Sequence, residues 1–511
     1  MKIDYIIVQA GGKGTRMEKL THNKPKALVP IQNLPMIFHL FRKYPEKKYV
    51  IIGDYLYDVL ERYLAAFADV EYYMVNAQGK KGTCAGLNEA LEFIPENEAF
   101  MLTWCDLILP EEYTIPEKTD NYIGISKDFR CRWRYENEVF SENPSEEYGV
   151  AGHFLFKDKQ ILKDVPCEGE FVRWLGERHF TFEELPLYKT KEYGLISEYN
   201  KLKLEKCRPF NKLTVDGDVI IKEGIDEQGC ALAVRERAWY AKLAEKNFKN
   251  IPKIYELNPL KMERIDGKNI YEYTDISFER KKEILTQIID CLHSVQNLEE
   301  VDSDRSSYYE AYIGKTFDRL KKVRELVPFA NDEYVIVNDR KCRNVFYVRE
   351  ELEQRVDEYF PEKFKLLHGD CTFSNMLLKN ESVPMLIDPR GYFGTTEFYG
   401  DPAYDWVKLY YSVVGNYDQF NLKRFNLDIR ESDVRLQIES NHWEDMEDTF
   451  FELLKDEVTP KQIKLLHAII WLSLTTYAWE DYDSICGAFY NGLYYLEEAL
   501  CLHTLKISYQ R

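Results

Sequence analysis

The chain has 511 residues, 45% hydrophobic and 14% aromatic, which exceeds one ordinary core and predicts roughly two to four domains. A formal charge of −19 argues against a groove that tracks a nucleic-acid backbone, since that needs a basic excess; small phosphorylated ligands, held by local donors and Mg²⁺, stay open. No apolar run reaches the ~18 residues of a membrane span, and eleven irregularly spaced cysteines without a CxxC pair predict reduced thiols, neither a zinc site nor a disulfide framework, and a cytoplasmic protein.

The opening "MKIDYIIVQAGGKG" reads as a first strand running into a Gly-rich turn, and not as a signal peptide, because no small-residue cleavage site follows. Apolar runs recur at Lys48–Asp54 and Ala99–Asp106, with helical periodicity between them, as in "LYDVLERYLAAF" (Leu56–Phe67). Strands alternating with helices predict a Rossmann-like α/β domain with a mostly parallel sheet, binding its ligand beyond the carboxyl ends of the strands. The rhythm changes at about residue 203, within "NKLKLEKCRPF". "NKLTVDGDVIIKEG" (Asn211–Gly224) then reads as two strands around a DG turn. "ALAVRERAWYAKLAEKN" (Ala231–Asn247) is helical, "LKMERIDGKN" (Leu260–Asn269) a strand entering a turn, and helical periodicity dominates from about 276. The expected domains are 1–203 and 204–511.

Two stretches carry chemistry. In "GGKGTR", Gly11, Gly12 and Gly14 follow a buried strand, so backbone N–H groups can approach phosphate oxygens without Cβ interference. Arg16 and "KPKALVPI", with Lys26, come next, while the Walker and dinucleotide spacings are absent. "HGDCTFSNMLL" places Asp370 five residues before Asn375, and Asp388 follows in "LIDPRG". That spacing suits a catalytic loop in which Asp370 accepts a hydroxyl proton, while the amide oxygen of Asn375 and the carboxylate of Asp388 hold Mg²⁺ on ATP phosphates.

"AGGKGTRM…THNKPKALVP" resembles the signature of the nucleotidyltransferases that make nucleotide-activated sugars and alcohols, over roughly residues 1–200. The resemblance implies that Gly11, Gly12, Gly14 and Thr15 cradle the triphosphate, Arg16 binds the β/γ oxygens, and Lys26 bridges the α-phosphate and the incoming monoester. It also implies that Gly82 and Thr83 of "KKGTCAGL" meet the nucleotide, and that Asp106 of "WCDLIL" is a Mg²⁺ ligand. Gly194 stands where the family has a second metal-binding Asp; Glu192 and Glu198 are the candidates to replace it.

The second stretch resembles the aminoglycoside phosphotransferase and choline kinase group, small-molecule relatives of protein kinases, over about residues 205–511, which implies a bilobal protein-kinase-like α+β domain with lobes at about 204–270 and 271–511. The resemblance implies that Lys222 holds the α/β phosphates with Glu236 as its partner, and that backbone groups from Glu263 to Ile265 meet adenine. "VDGD" is the candidate lid, and His368, Asp401 and Asp405 brace the catalytic loop. Trp406, Tyr410, Trp471, Trp479, Glu480, Asp481 and Tyr482 suit an acceptor pocket for a cationic amine, although helical spacing favours core plus a solvated face.

Together the resemblances imply a bifunctional enzyme. ATP phosphorylates a small alcohol, and a second NTP (CTP or UTP) then gives the NDP-linked product, a building block for surface glycans. "GTCAGL" and the cation Arg390 in "IDPRG" favour a sugar or polyol acceptor. The alternatives are choline or ethanolamine, one half acting as a nucleotide-binding regulator, or an antibiotic-modifying kinase with an appended domain.

Overall fold

The computed structural model describes residues 1–202 and 211–504. The chain divides into two compact units, Met1–Leu204 with Glu480–Tyr482, and Glu205–Trp479 with Asp483–Arg511. The boundary expected at 203–204 lies outside the described residues. Among the described residues no helix is long and apolar enough to cross a membrane.

The first unit is built on β1 (Tyr5–Gln9), β2 (Lys48–Gly53), β3 (Tyr72–Asn76), β4 (Phe100–Trp104), β5 (Tyr122–Ser126), β6 (Arg134–Glu136), β7 (Val139–Ser141), β8 (Gly149–Phe156) and β9 (Glu183–Leu187). They form one nine-stranded sheet in the order β7-β6-β8-β4-β1-β2-β3, with β5 on β8 and β9 on β5. The strands β4, β1, β2 and β3 run parallel, as the three apolar runs predict. Beyond them β8 turns antiparallel to β4, an extension the sequence did not announce. Ile7, Val50, Leu102 and Phe154 fill the core. Two helices, α1 (Met36–Lys43) and α2 (Tyr57–Phe67), follow β1 and β2; the buried Leu60, Tyr63 and Leu64 of α2 fall at the 3–4 spacing of one helix face.

The strand order reverses between β1 and β4. In such sheets the crevice at the reversal, beyond the carboxyl ends, is where ligands bind. Register Gln9↔Trp104 brings the Gly11 loop and Asp106 out side by side there.

The second unit begins with a four-stranded antiparallel sheet in the order β10 (Asn211–Asp216), β11 (Val219–Gly224), β13 (Leu260–Glu263) and β12 (Ile254–Leu257). Between β11 and β12 the chain forms α3 (Glu227–Glu245), whose N-terminus is capped by Asp226 accepting from the Gly229 amide at 2.7 Å. The larger part is helical: α4 (Phe278–Gln296), α5 (Lys315–Val323), α6 (Pro402–Val413), α7 (Pro460–Leu474) and α8 (Tyr482–Thr504). Pro at the first turn of α6 and α7, after Asp401 and Thr459 caps, marks both starts. Fully buried Trp406, Trp443 and Trp471 anchor this core. The helical part also contains two hairpins, Tyr334–Arg343 and Phe425–Ile438, joined in a sheet. Helical periodicity did not reveal them; the Asn338–Asp339 turn, with φ of 48° and 65°, is the local signal.

Candidate active sites

In the first unit, the loops after β1 and β4 enclose a cavity of about 320 Å³ lined by Gly11, Gly12, Lys26, Gly82, Thr83 and Asp106, together with Gln9, Asp54 and Lys80. Lys26 is ion-paired with Asp106, and both are nearly buried. Burial works to strip the lysine of its proton, but Asp106 outweighs it and holds the ammonium above its ordinary value. Gly82 has φ of +89°, and a Cβ there would lie 2.3 Å from the Gly169 carbonyl oxygen, so only glycine lets this loop close on its neighbour. The Thr83 hydroxyl accepts from the Phe171 amide at 2.8 Å, and its carbonyl takes the Gln9 side chain at 2.8 Å. Thr83 is therefore itself braced. Gly14, Thr15 and Arg16 do not line the cavity; Thr15 and Arg16 are exposed on the short turn that follows.

A two-strand ribbon pairs Leu107 with Glu192, and the Tyr193 amide donates to the Asp106 carbonyl at 3.0 Å. This register sets Glu192 beside Asp106. Burial first, then the Asp106 charge, pushes the Glu192 carboxyl up to about 7, with Lys26 and Arg16 pulling the other way. A Cβ on Gly194 would stand 1.9 Å from Glu192 Oε1 and 3.2 Å from Lys26 Nζ. The glycine thus makes room for the glutamate. Glu198 instead pairs with Lys201 at the surface, 2.7 Å away. Asp106 Oδ1 is buried without a hydrogen-bond partner. Two adjoining carboxylates with an unsatisfied oxygen make a hard-oxygen donor set that fits Mg²⁺.

In the second unit a cavity of about 400 Å³ is lined by Lys222, Glu236, Asp370, Asn375 and Asp388. Lys222 reaches Glu236 at 2.8 Å and Asp388 at 2.6 Å. Burial opposes the Lys222 charge, but the two carboxylates more than offset it and raise its affinity for its proton. Burial raises the Glu236 carboxyl to about 7, against the pull of Lys222. The Asn375 amide nitrogen donates to the Asp370 carbonyl and to Asp370 Oδ2, both at 2.8 Å. Its oxygen is then the atom this amide can offer a cation, which with the Asp388 carboxylate fits Mg²⁺.

The loop that carries Asp370 is held from below. Asp405 accepts from the His368 and Gly369 amides at 3.1 and 2.7 Å. Buried His368, held neutral chiefly by desolvation, bonds the Ile387 carbonyl through Nε2 at 2.9 Å and accepts from the Asp370 amide through Nδ1 at 3.2 Å. Asp401 caps α6 and takes the Tyr312 hydroxyl at 2.8 Å.

Glu263 and Ile265 do not line this cavity. The Glu263 amide is bonded to the Lys253 carbonyl, its carboxylate to Lys379 at 2.6 Å, and Ile265 is buried. The chain reaches the cavity later, at Asn269 and Tyr271, while Asn211 and Leu213 of β10 line it from the small sheet. Trp406, Tyr410 and Trp471 are core residues, and Glu480, Asp481 and Tyr482 group with the first unit. Sequence reasoning missed Lys408, 2.7 Å from Asp370, and Arg319 in the cavity wall. Lys408 carried a signal, seven residues after the Asp401 cap on the same helix; Arg319 carried none.

Fold and sites define an enzyme of two transferase classes, a nucleotidyltransferase and a kinase-type phosphotransferase in one chain. Residues 6–133 match the MobA-like NTP transferase domain and residues 231–428 the phosphotransferase enzyme family. The chain is 29% identical to the D-glycero-alpha-D-manno-heptose 1-phosphate guanylyltransferase of Campylobacter jejuni, over 39% of this chain and 89% of that protein. It is 27% identical to the CTP:phosphoglutamine cytidylyltransferase of the same organism, over 42% of this chain and 92% of that protein. It is 28% identical to the bifunctional protein GlmU of Methanococcus maripaludis, over 24% of this chain and only 29% of that protein's length. Among solved structures it resembles the inositol-1-phosphate CTP transferase from T. maritima, with a TM-score of 0.33 and 15% identity over 39% of this chain and 92% of that one.

Proposed function

We propose that the two centres act in succession on one small alcohol. At the C-terminal site ATP phosphorylates its hydroxyl. At the N-terminal site the resulting phosphomonoester takes a nucleotidyl group from a second NTP, CTP or UTP, and pyrophosphate leaves. The NDP-linked product is of the kind that surface-glycan synthesis consumes. One observation carries the reading: Asp106 and Asp370 each line a cavity of their own, beside a lysine, and the product class of one chemistry is the substrate class of the other.

In the first step Lys222, anchored by Glu236, holds the ATP α/β phosphates. Asp370 takes the acceptor's proton as its oxygen forms the bond to the γ-phosphorus and ADP leaves. In the second, the amides of Gly11 and Gly12 cradle the triphosphate, and Lys26 bridges the α-phosphate and the attacking monoester oxygen. Asp106 with Glu192, and Asn375 with Asp388, would hold Mg²⁺; the ion, when bound, neutralises charge on the phosphate oxygens.

The test is mass spectrometry of incubations with ATP, one of the four NTPs and a panel of sugars, polyols, sugar acids and amino alcohols. An NDP-linked mass that requires both ATP and a second NTP is expected. Asp370→Asn should block phosphorylation only, and Asp106→Asn nucleotidyl transfer only. If either change leaves product formation untouched, that half is a regulator and the two-step reading is wrong. Phosphorylation of aminoglycosides without pyrophosphate release would overturn it as well.

A further inference from the structure

The C-terminal cavity is electrically lopsided. Glu236, Asp388 and Asn375 face the nucleotide side with Lys222. Elsewhere the wall carries Arg319, Arg390 and Lys408, with Asp418 its remaining acid. Lys315 stands one helical turn before Arg319 on α5, so both project from the same face. The helix follows directly on a π turn, Glu310–Gly314, a deviation that recurs at functional sites.

Acids do not balance these cations. Among the described residues Lys315, Arg319 and Arg390 form no ion pair. The hydrogen bonds of Arg319 and Arg390 run to neutral groups: the Ser473 carbonyl at 2.5 Å for Arg319, and the Tyr404 and Tyr392 hydroxyls at 2.6 and 2.9 Å for Arg390. Arg390 Nε is buried and has no partner. Lys408 alone has a carboxylate, the catalytic Asp370 at 2.7 Å. The mutual strain registers on their neighbours. Burial, then Arg390, Arg319 and Lys408, drives the Lys315 ammonium well below its ordinary value, with only Glu310 opposing. Partial burial of Tyr392 should raise its phenol, yet Arg390, Arg319 and Arg235 pull it down. Like charges gathered away from water are costly unless a counter-ion completes the site, and a guanidinium with an idle N–H is shaped for a planar anion.

We infer that the phosphate acceptor of the C-terminal site is an anionic alcohol, a hydroxy acid or a phosphorylated polyol, whose charged group is seated on Arg319 and Arg390 while its hydroxyl faces Asp370. This rests on the kinase reading of the site and narrows it. A cationic amino alcohol meets the wrong sign there, and a neutral polyol leaves the cations unmatched. The product would carry two anionic groups, the original one and the new phosphate, into nucleotidyl transfer.

The experiment uses the full chain with MgATP, measuring ADP release and, independently, acceptor binding by calorimetry. The probes are glycerate, gluconate and glycerol 3-phosphate, against glycerol, glucitol and choline. At least one anion should bind and be phosphorylated with kcat/KM about 10- to 100-fold above its uncharged counterpart, the range of one charged contact. Preference for the two acids or for glycerol 3-phosphate tells carboxylate from phosphate. Arg319→Gln should raise KM for the anion and erase the preference, and Arg319→Lys should restore part of it. If anions bind without being phosphorylated, the anion seat stands, but the assignment of the anion as phosphate acceptor falls together with the kinase reading. If glycerol, glucitol or choline turns over while no anion binds or competes, the inference falls and the kinase reading stands. If nothing binds, both fall.

Discussion

Gly194→Ala isolates the part played by Glu192. The new Cβ would sit 1.9 Å from Glu192 Oε1, so the carboxylate must retreat by about 1.5 Å to reach ordinary contact. The clash is with the end of a flexible side chain, so the fold absorbs it and stability should change by less than about 1 kcal/mol. The geometry next to Asp106 does not survive. A misplacement of about 1 Å at a reacting centre costs about 100-fold, and that is the loss expected in pyrophosphate release, with ADP release at the other site unchanged. The decisive assay is a double-mutant cycle with Glu192→Gln. Two changes acting through one carboxylate are not additive, so adding Gly194→Ala to Glu192→Gln should cost little more. Full activity of Gly194→Ala, or an equal loss in both backgrounds, would refute the assignment of Glu192 to the metal site.

The pH dependence follows from the same residue. Its carboxyl is held at about 7, and a metal needs the deprotonated form. The Mg²⁺ concentration for half-maximal nucleotidyl transfer should therefore fall between about pH 6 and pH 8, and Glu192→Gln should flatten that profile. Lys222→Met strands the buried Glu236 and should cost the second unit about 3–5 kcal/mol, seen as an earlier unfolding transition, with ATP turnover lost and nucleotidyl transfer kept. Asp405→Ala leaves two buried amides, His368 and Gly369, without acceptors. We expect about 2–6 kcal/mol lost in thermal unfolding, and the kcat of ADP release should fall more than KM rises.

Short-range patterns were legible and long-range coincidences were not. Apolar runs at Asp4–Ala10, Lys48–Asp54 and Ala99–Asp106 gave the parallel strands because burial on both faces leaves a mark in consecutive residues. The Asp370–Asn375–Asp388 spacing was readable because one loop and one strand carry it. Glu192 needed a ribbon register to bring it to Asp106, and Gly194 read as a missing ligand when its bareness is what admits the neighbouring glutamate. Arg319 comes to the cavity of Asp370 from a helix some fifty residues upstream, a distance no local pattern spans. Glu263 and Ile265, read from the sequence as nucleotide-facing, do not line the cavity, because β13 spends the Glu263 amide on the Lys253 carbonyl.

In the kinase step proposed above, the ammonium of Lys408 lying 2.7 Å from Asp370 bears on when the proton moves. Burial alone would make this carboxylate a stronger base, but Lys408 overrides it and depresses its proton affinity. So weak a base cannot deprotonate an ordinary alcohol, or water, ahead of bond formation. It can accept the proton only after the oxygen has begun to bond to phosphorus and turned acidic, which suits a loose phosphoryl transition state. The same weakness leaves a stray water molecule poorly activated, so idle hydrolysis of ATP is disfavoured until a hydroxyl is correctly seated.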